Sequence, residues 1–489
     1  MFANFRVTEN GLSSTKATIR HHRSSTGCYA CRQSKKKCDE AKPICGRCRR
    51  HPSIECLWDA RFSRRSLDKK NVAITAPIPP SPQVSLRDYL HGSNALQSQR
   101  SDAQSRQLEL LLSTFNHVHS MSYVDPRISP LSLGITHAIQ NPALMHAYAA
   151  CGAAILSGSD PSYVRVSLSH YVNATRLVSG AIEKMDDRAA ANDEWVLASI
   201  NALHIFETLR KDQNCPNTVH LAGARHLYHR VTHQRIPETL FLRLAVQEFI
   251  FQLAISSTFD PSCFQGEQPY LEVHNLLRLM GGTDCGDNIP MIWKESSPLG
   301  VAHVMFDYIF RLSYLRLNTP LSGWQLIEAE TILARLQSWQ SMPSISDGNR
   351  SRRLCPPSEM ILMADLYRVA CLIFVHKILD TTLKSEEALI RRYTRQGVDM
   401  LNGIPNLKLK DTTTLIWPIF VLGIAATTPQ ERESCRRPLR YLHSICGIGC
   451  VRAVLNLLDK VWGPPFAADG ESLGLDVLFR DDLLREVLF

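Results

Sequence analysis

Six cysteines between Cys28 and Cys56 restrict what this chain can fold into more than any other feature. They are spaced Cys28-x2-Cys31-x6-Cys38-x6-Cys45-x2-Cys48-x7-Cys56, so each CxxC step is followed by a third cysteine six or seven residues on. A CxxC step sets two sulfurs on one tight turn, where both reach one ion, and soft thiolates favour tetrahedral zinc. Six thiolates are too few for two separate four-sulfur sites. They suffice for a two-zinc cluster if two of them bridge. The segment holds few large apolar side chains (Tyr29, Ile44, Ile54, Leu57 and Trp58). Metal ligation therefore has to supply its folding free energy, typically about 10–16 kcal/mol per structural zinc.

Other chemistries fit the cysteines less well. Disulfide scaffolds belong to small secreted domains, and the start Met-Phe-Ala-Asn-Phe-Arg lacks the basic-then-apolar pattern of a secretory signal. Iron–sulfur sites more often show tighter repeats such as CxxCxxC. The remaining nine cysteines are scattered and read as free buried thiols in a reducing compartment. Cys446 and Cys450 stand four apart, as if sharing one helix face, yet have no nearby partners for a metal.

Charge singles out the same segment. Residues 1–70 carry 17 lysines and arginines against 6 acidic residues, whereas the rest of the chain carries 38 against 40. Such asymmetry is the electrostatic footprint of a nucleic-acid-binding module. Residues 32–37 are expected to form a short helix whose lysines lie near its C-terminal end, where cations suit the dipole. A lysine there can donate to guanine O6 and N7 in the major groove. The basic runs also suit nuclear import.

The stretch from Gly27 to Cys48, with three lysines before Cys38 and Pro43 before Cys45, resembles the binuclear zinc cluster of fungal transcription factors. The resemblance implies two Zn2+ held by Cys28, Cys31, Cys38, Cys45, Cys48 and Cys56. Cys28 and Cys45 would bridge, Cys31 and Cys38 would complete one tetrahedron, and Cys48 and Cys56 the other. It also implies base contacts to a CGG-type triplet of double-stranded DNA from Lys35 and Ser34, the latter replacing a more usual basic residue. Arg32, Lys36, Lys37, Arg47, Arg49 and Arg50 are expected on phosphates, which positions the module without reading sequence.

The domain reading is a disordered N-terminus over 1–25, the cluster over 26–58, a basic, proline-containing tether over 59–105 and an all-helical domain over 106–489. The expected fold is thus mostly α. Helical periodicity is expected over 143–156, 164–185, 193–210, 219–229, 237–257, 301–317, 323–341, 358–379, 386–404, 413–426 and 436–461. The most apolar stretch, 415–426, is too short to span a bilayer, so no membrane partner is expected. Leu108, Leu111, Leu112, Phe115 and Val118 read as the first apolar stripe of the helical domain rather than a dimerising coiled coil, which needs three or four heptads. A homodimer would have to form without one.

Pieces of the helical region (Asp125–Arg127, Pro142–Ala154, His220–Arg225, Leu366–Ala370, Trp417–Phe420 and Leu457–Trp462) resemble the fungal-specific regulatory domain. That resemblance implies a control domain. His226, His229 and His233 fall on one helical face without the acidic partner of a zinc protease, while Arg225 and Arg230 suit a solvated surface. GxxxxGK, GxSxG and GxGxxG motifs are missing, and no enzyme is expected. The tail over 469–489 alternates acidic and bulky apolar residues, which suits either a coactivator-docking segment or an amphipathic helix packed on the domain.

Together these readings point to a nuclear, zinc-dependent, sequence-specific regulator of RNA polymerase II transcription. Two alternatives stand beside it. One is a DNA-binding repressor or competitor, and the other a metabolite-sensing helical protein whose cluster is an interaction module.

Overall fold

Long runs of apolar residues at helical spacing, interrupted by Gly, Pro and Asp, give a chain whose described part is almost wholly helical in the computed structural model. The structure describes residues 5–8, 11–14, 31, 38–39, 45–50, 102–119, 130–184, 193–210, 218–232, 239–264, 269–279, 300–339, 358–404, 413–463 and 473–487. It divides into two units, Met1–Ser93 and Asn94–Phe489.

In the first unit, β1 (Phe5–Thr8) and β2 (Gly11–Ser14) pair antiparallel, with Phe5 opposite Ser14 and Thr8 opposite Gly11. Sequence reading placed these residues in a disordered N-terminus. Alternation in Phe5-Arg6-Val7-Thr8 and a two-residue connection suffice for a short hairpin. Helix α1 (Gly46–Arg49) belongs to the cysteine module.

The second unit starts with α2 (Asp102–His119), four residues earlier than expected. Leu108, Leu111, Leu112, Phe115 and Val118 are all buried in it, so the first apolar stripe belongs to this domain. Helix α3 (Pro130–Gln140) leads into α4 (Pro142–Leu156), which is buried on nearly every side. α4 packs against α2, against α5 (Tyr163–Ile182) and against α6 (Glu194–Leu209). Where α2 crosses α4, a Cβ on Gly152 would lie 1.9 Å from the carbonyl oxygen of Leu111. Only glycine lets the two backbones approach so closely. Gly152→Ala is expected to cost about 3 kcal/mol by forcing the helices apart. Gly180→Ala, where nothing lies within 4 Å of the added carbon, should instead gain up to about 1 kcal/mol of helix propensity. Urea unfolding of both variants checks the contrast.

Then follow α7 (Thr218–Thr232), α8 (Leu240–Phe259), α9 (Glu272–Leu279), α10 (His303–Arg316), α11 (Trp324–Ser338) and α12 (Ser358–Leu379). Helix α8 is long and apolar enough to cross a membrane, unlike the shorter 415–426 stretch on which the expectation of no membrane partner rests. Of its most apolar window, 83% is buried inside the domain, as befits a core helix. Helices α13 (Ala388–Gly403), α14 (Ile416–Ala425), α15 (Pro429–Cys446) and α16 (Gly449–Trp462) complete the stack.

The single helix expected over 436–461 is two. Thr428 and Glu431 form a capping box at the start of α15, and Gly447 ends it at φ 59°, a left-handed conformation that glycine adopts without strain. Cys446 and Cys450 therefore lie on different helices.

At the centre of the core is Trp417, 1% exposed. Its ring stacks on Tyr367 at 6.0 Å and meets Phe374 edge-on. Its Nε1 donates to Thr258 Oγ1 at 2.9 Å, which in turn bonds Ser313 Oγ at 3.0 Å. The polar end of a large buried ring is thus satisfied, as burial demands.

The C-terminal stretch packs as a 3₁₀ turn (Gly474–Phe479) and a short helix, α17 (Asp481–Leu484). Leu475, Val477, Leu478, Leu483, Leu484 and Val487 are buried. Three cations hold it. Lys377, with no exposed surface, donates to Asp476 Oδ1 at 2.7 Å and to the carbonyls of Thr381 and Leu383, while Lys384 reaches Asp476 Oδ2 at 2.6 Å. Buried Arg316 donates to Leu478 O at 2.8 Å and Asp481 Oδ1 at 2.7 Å. Of the two readings of the tail, its described part follows the packed one. Fused to a foreign DNA-binding domain, residues 465–489 should leave a reporter gene silent.

Candidate metal centre

Of the six cysteines of the array, Cys31, Cys38, Cys45 and Cys48 lie among the described residues, and all four are buried. The Sγ atoms of Cys31, Cys38 and Cys45 lie within 4.8 Å of one another. Cys31 and Cys45, fourteen residues apart, place their sulfurs 3.7 Å apart. A tetrahedron with zinc–sulfur arms of about 2.3 Å has edges of about 3.8 Å, so this pair has the spacing of two ligands on one ion. Three converging buried thiols fit zinc by both softness and geometry.

Local structure explains the convergence. Cys45 is the N-cap of α1, and its Sγ accepts from the backbone N–H of Cys48 at 3.4 Å. A thiolate there gains from the orphan N–H groups of the first turn. Asp39, next to Cys38, accepts from the N–H of Gly46 through both carboxylate oxygens, at 3.0 and 2.9 Å. This bond ties the third cysteine of the array to the fourth. A Cβ at position 46 would lie 2.3 Å from Asp39 Oδ2, so glycine is needed for the contact. Sequence reading missed the Asp39–Gly46 clamp, whose only signal was an aspartate next to one ligand and a glycine next to another.

The basic side chains divide. Arg47 turns toward the sulfurs, its Nη1 donating to Cys31 Sγ at 3.7 Å, and is only partly exposed. Arg49 and Arg50 are exposed, with Arg50 Nε donating to Gly46 O at 3.1 Å. Cys28, Cys56, Arg32, Ser34, Lys35, Lys36 and Lys37 lie outside the described residues.

Away from the array, Cys151, Cys263, Cys371, Cys435, Cys446 and Cys450 are free and buried. Burial pushes the Cys435, Cys446 and Cys450 thiols up to about 12, which keeps them protonated and inert. Of the histidine face expected at 226, 229 and 233, the His229 side chain and His233 lie outside the described residues. His226 is exposed, and His220 Nε2 bonds Tyr171 OH at 2.8 Å. Arg225, expected on a solvated face, is buried. It donates to Cys263 O at 2.7 Å and pairs with Glu272. Burial raises the Glu272 carboxyl to about 7 against the pull of Arg225. Helix α9 carries Glu272 to this arginine, a juxtaposition that local sequence does not announce.

A buried sulfur centre in a basic module, on one chain with a large helical domain, is the architecture of a zinc-cluster transcription factor, a class without catalytic activity. The family model described as "Fungal specific transcription factor domain" matches residues 111–463, and the chain belongs to this family. Residues 26–66 match the "Fungal Zn(2)-Cys(6) binuclear cluster domain", which identifies the metal as zinc. The chain is similar to a Zn(2)-C6 fungal-type transcription factor of Aspergillus fumigatus, 36% identical over 64 residues, which is 13% of this chain and 17% of that protein. A transcription factor of Flammulina velutipes is 53% identical over 47 residues, covering 9% and 16%. The thiamine biosynthesis regulatory protein of Saccharomyces cerevisiae is 45% identical over 50 residues, covering 10% and 11%. The similarity thus spans less than a fifth of each relative's length. No solved structure matches the chain.

Proposed function

We propose that this chain is a zinc-dependent, sequence-specific regulator of RNA polymerase II transcription that acts in the nucleus. The convergence of Cys31, Cys38 and Cys45 to within 4.8 Å in the segment that holds the chain's excess positive charge carries this reading. Two zinc ions are held by six cysteines, Cys28 and Cys45 bridging. The metals fix the short basic segment between Cys31 and Cys38, which a core of this size could not fix alone.

Lys35, with Ser34 beside it, reads a CGG-type triplet in the major groove. Arg32, Lys36, Lys37, Arg49 and Arg50 hold phosphates, with Arg47 divided between the sulfurs and the backbone of DNA. Lys35→Ala should weaken binding to the preferred triplet about 10- to 100-fold, the cost of one good base contact, and binding to random duplex hardly at all. Equal losses on both in a gel-shift series would remove Lys35 from base reading.

The helical domain supplies control, and coactivators would dock on it. If two chains pair, they do so without the Leu108–Val118 stripe, because that stripe is consumed in the core of the domain.

A further inference from the structure

The seam between α13 and α15 carries an excess of exposed arginine that the domain's own charges do not neutralise. On α13, Arg391, Arg392 and Arg395 are exposed; on α15, Arg437 and Arg440. Three exposed carboxylates border these two faces: Glu387 one turn before Arg391, Asp399 one turn after Arg395, and Glu433, which reaches Arg440 at 3.9 Å. The remaining four arginines form no ion pair among the described residues. By contrast Arg436, on the far side of α15, is paired with Asp459 and stacked 4.7 Å from the ring of Trp462.

Helical register sets Arg391, Arg395 and Arg437 along one seam. Arg391, Arg395 and Asn402 share one stripe of α13, and Asn402 Nδ2 donates to Ser434 Oγ of α15 at 3.2 Å. Ser434 shares its own stripe with Arg437 and Tyr441, the latter 50% exposed. Both stripes therefore border the same seam. Arg391 and Arg395, at i and i+4, repel each other and weaken the bare helix. An anion bound across the seam would reverse that cost.

We propose that this seam binds phosphates of duplex DNA outside the triplet read by the zinc cluster, an inference that rests on the chain being a DNA-binding regulator. The charges fit a polyanion, and Arg and Tyr are suited to phosphate oxygens. Supply of the ligand also favours DNA. The 43 residues from 59 to 101 reach at most about 150 Å, so a duplex held by the cluster is offered to the seam at high effective concentration. A single three-base-pair module would then gain affinity without a second cluster.

The test uses the full chain and two duplexes, one of about 12 base pairs and one of about 40, each carrying one triplet, in anisotropy titrations over a salt series. Replacing Arg391, Arg395 and Arg437 together with glutamine should weaken binding to the long duplex about tenfold. It should also flatten the log–log salt slope by roughly 2–3, near 0.9 per lost phosphate contact, and leave the short duplex and the melting curve unchanged. The same three positions as lysine should restore most of the loss. Wild-type-like binding to both duplexes overturns the proposal, as does an equal loss on both. Loss of an acidic, leucine-rich peptide probe with DNA binding intact would make the seam a protein-docking site instead. Wild-type chain that binds neither duplex would overturn the DNA-binding reading itself, an outcome distinct from the others.

Discussion

Cys45→Ala is expected to reduce DNA binding to its sequence-independent level, a loss of about a thousandfold or more on the preferred triplet. Cys45 holds three positions at once. Its sulfur lies 3.7 Å from that of Cys31, it caps α1, and it accepts from the N–H of Cys48. Alanine removes a ligand and the cap together, in a module too poor in apolar residues to fold without metal. The proposed bridging role sharpens the expectation. Loss of a bridge should empty both zinc positions, whereas Cys48→Ala, at a terminal position, should leave one zinc partly bound. Metal content per chain, measured beside a gel shift, separates the two variants. Equal retention of zinc in both would remove the bridging assignment.

Asp476→Ala should destabilise the helical domain by about 2–3 kcal/mol. Lys377 has no exposed surface and depends on Asp476 for its counter-charge. Removing one partner of such a pair leaves an ammonium buried without compensation, which ordinarily costs about 3–5 kcal/mol. The figure here is smaller because the Asp476 side chain is one-third exposed and Lys377 keeps two carbonyl partners. Exchanging Lys377 for methionine in the same chain should recover at least half of the loss, since no charge then remains to be compensated. Urea unfolding of the single and double variants decides, and a single variant within 0.5 kcal/mol of wild type would contradict the clamp. Acid should act in the same direction. Burial opposes ionisation of Asp476, but the bonds from Lys377 and Lys384 prevail and hold its carboxyl below the ordinary value of 3.8. The contribution of the pair is therefore complete above that value and lost as pH falls below it.

Much of this was legible in the sequence because it depends on local spacing. The cysteine intervals and the lysines around them announce a metal-dependent module, and periodicity located most helices to within a few residues. Ser358–Leu379 was predicted with both ends as observed. Failures came where distant residues decide. The break at Gly447 looks, in sequence, like one more glycine inside an apolar run, and only its left-handed conformation reveals a helix end. Arg225 looks solvated until α9 brings Glu272 to it. The tail beyond residue 469 alternates acidic and apolar residues as either an exposed or a packed segment would. Lys377, some hundred residues away, decides in favour of packing. Asp39 and Gly46 show the same limit within the metal module, where the backbone amide that the carboxylate caps is seven residues on.

Zinc removal followed by restoration, with specific DNA binding as the readout, tests the central claim most directly. The full chain stripped with a chelator should lose preference for a CGG-containing duplex over a scrambled one. It should regain that preference on adding zinc, with the return complete at two zinc ions per chain. Full preference in the metal-free protein would contradict a zinc-dependent reading of DNA.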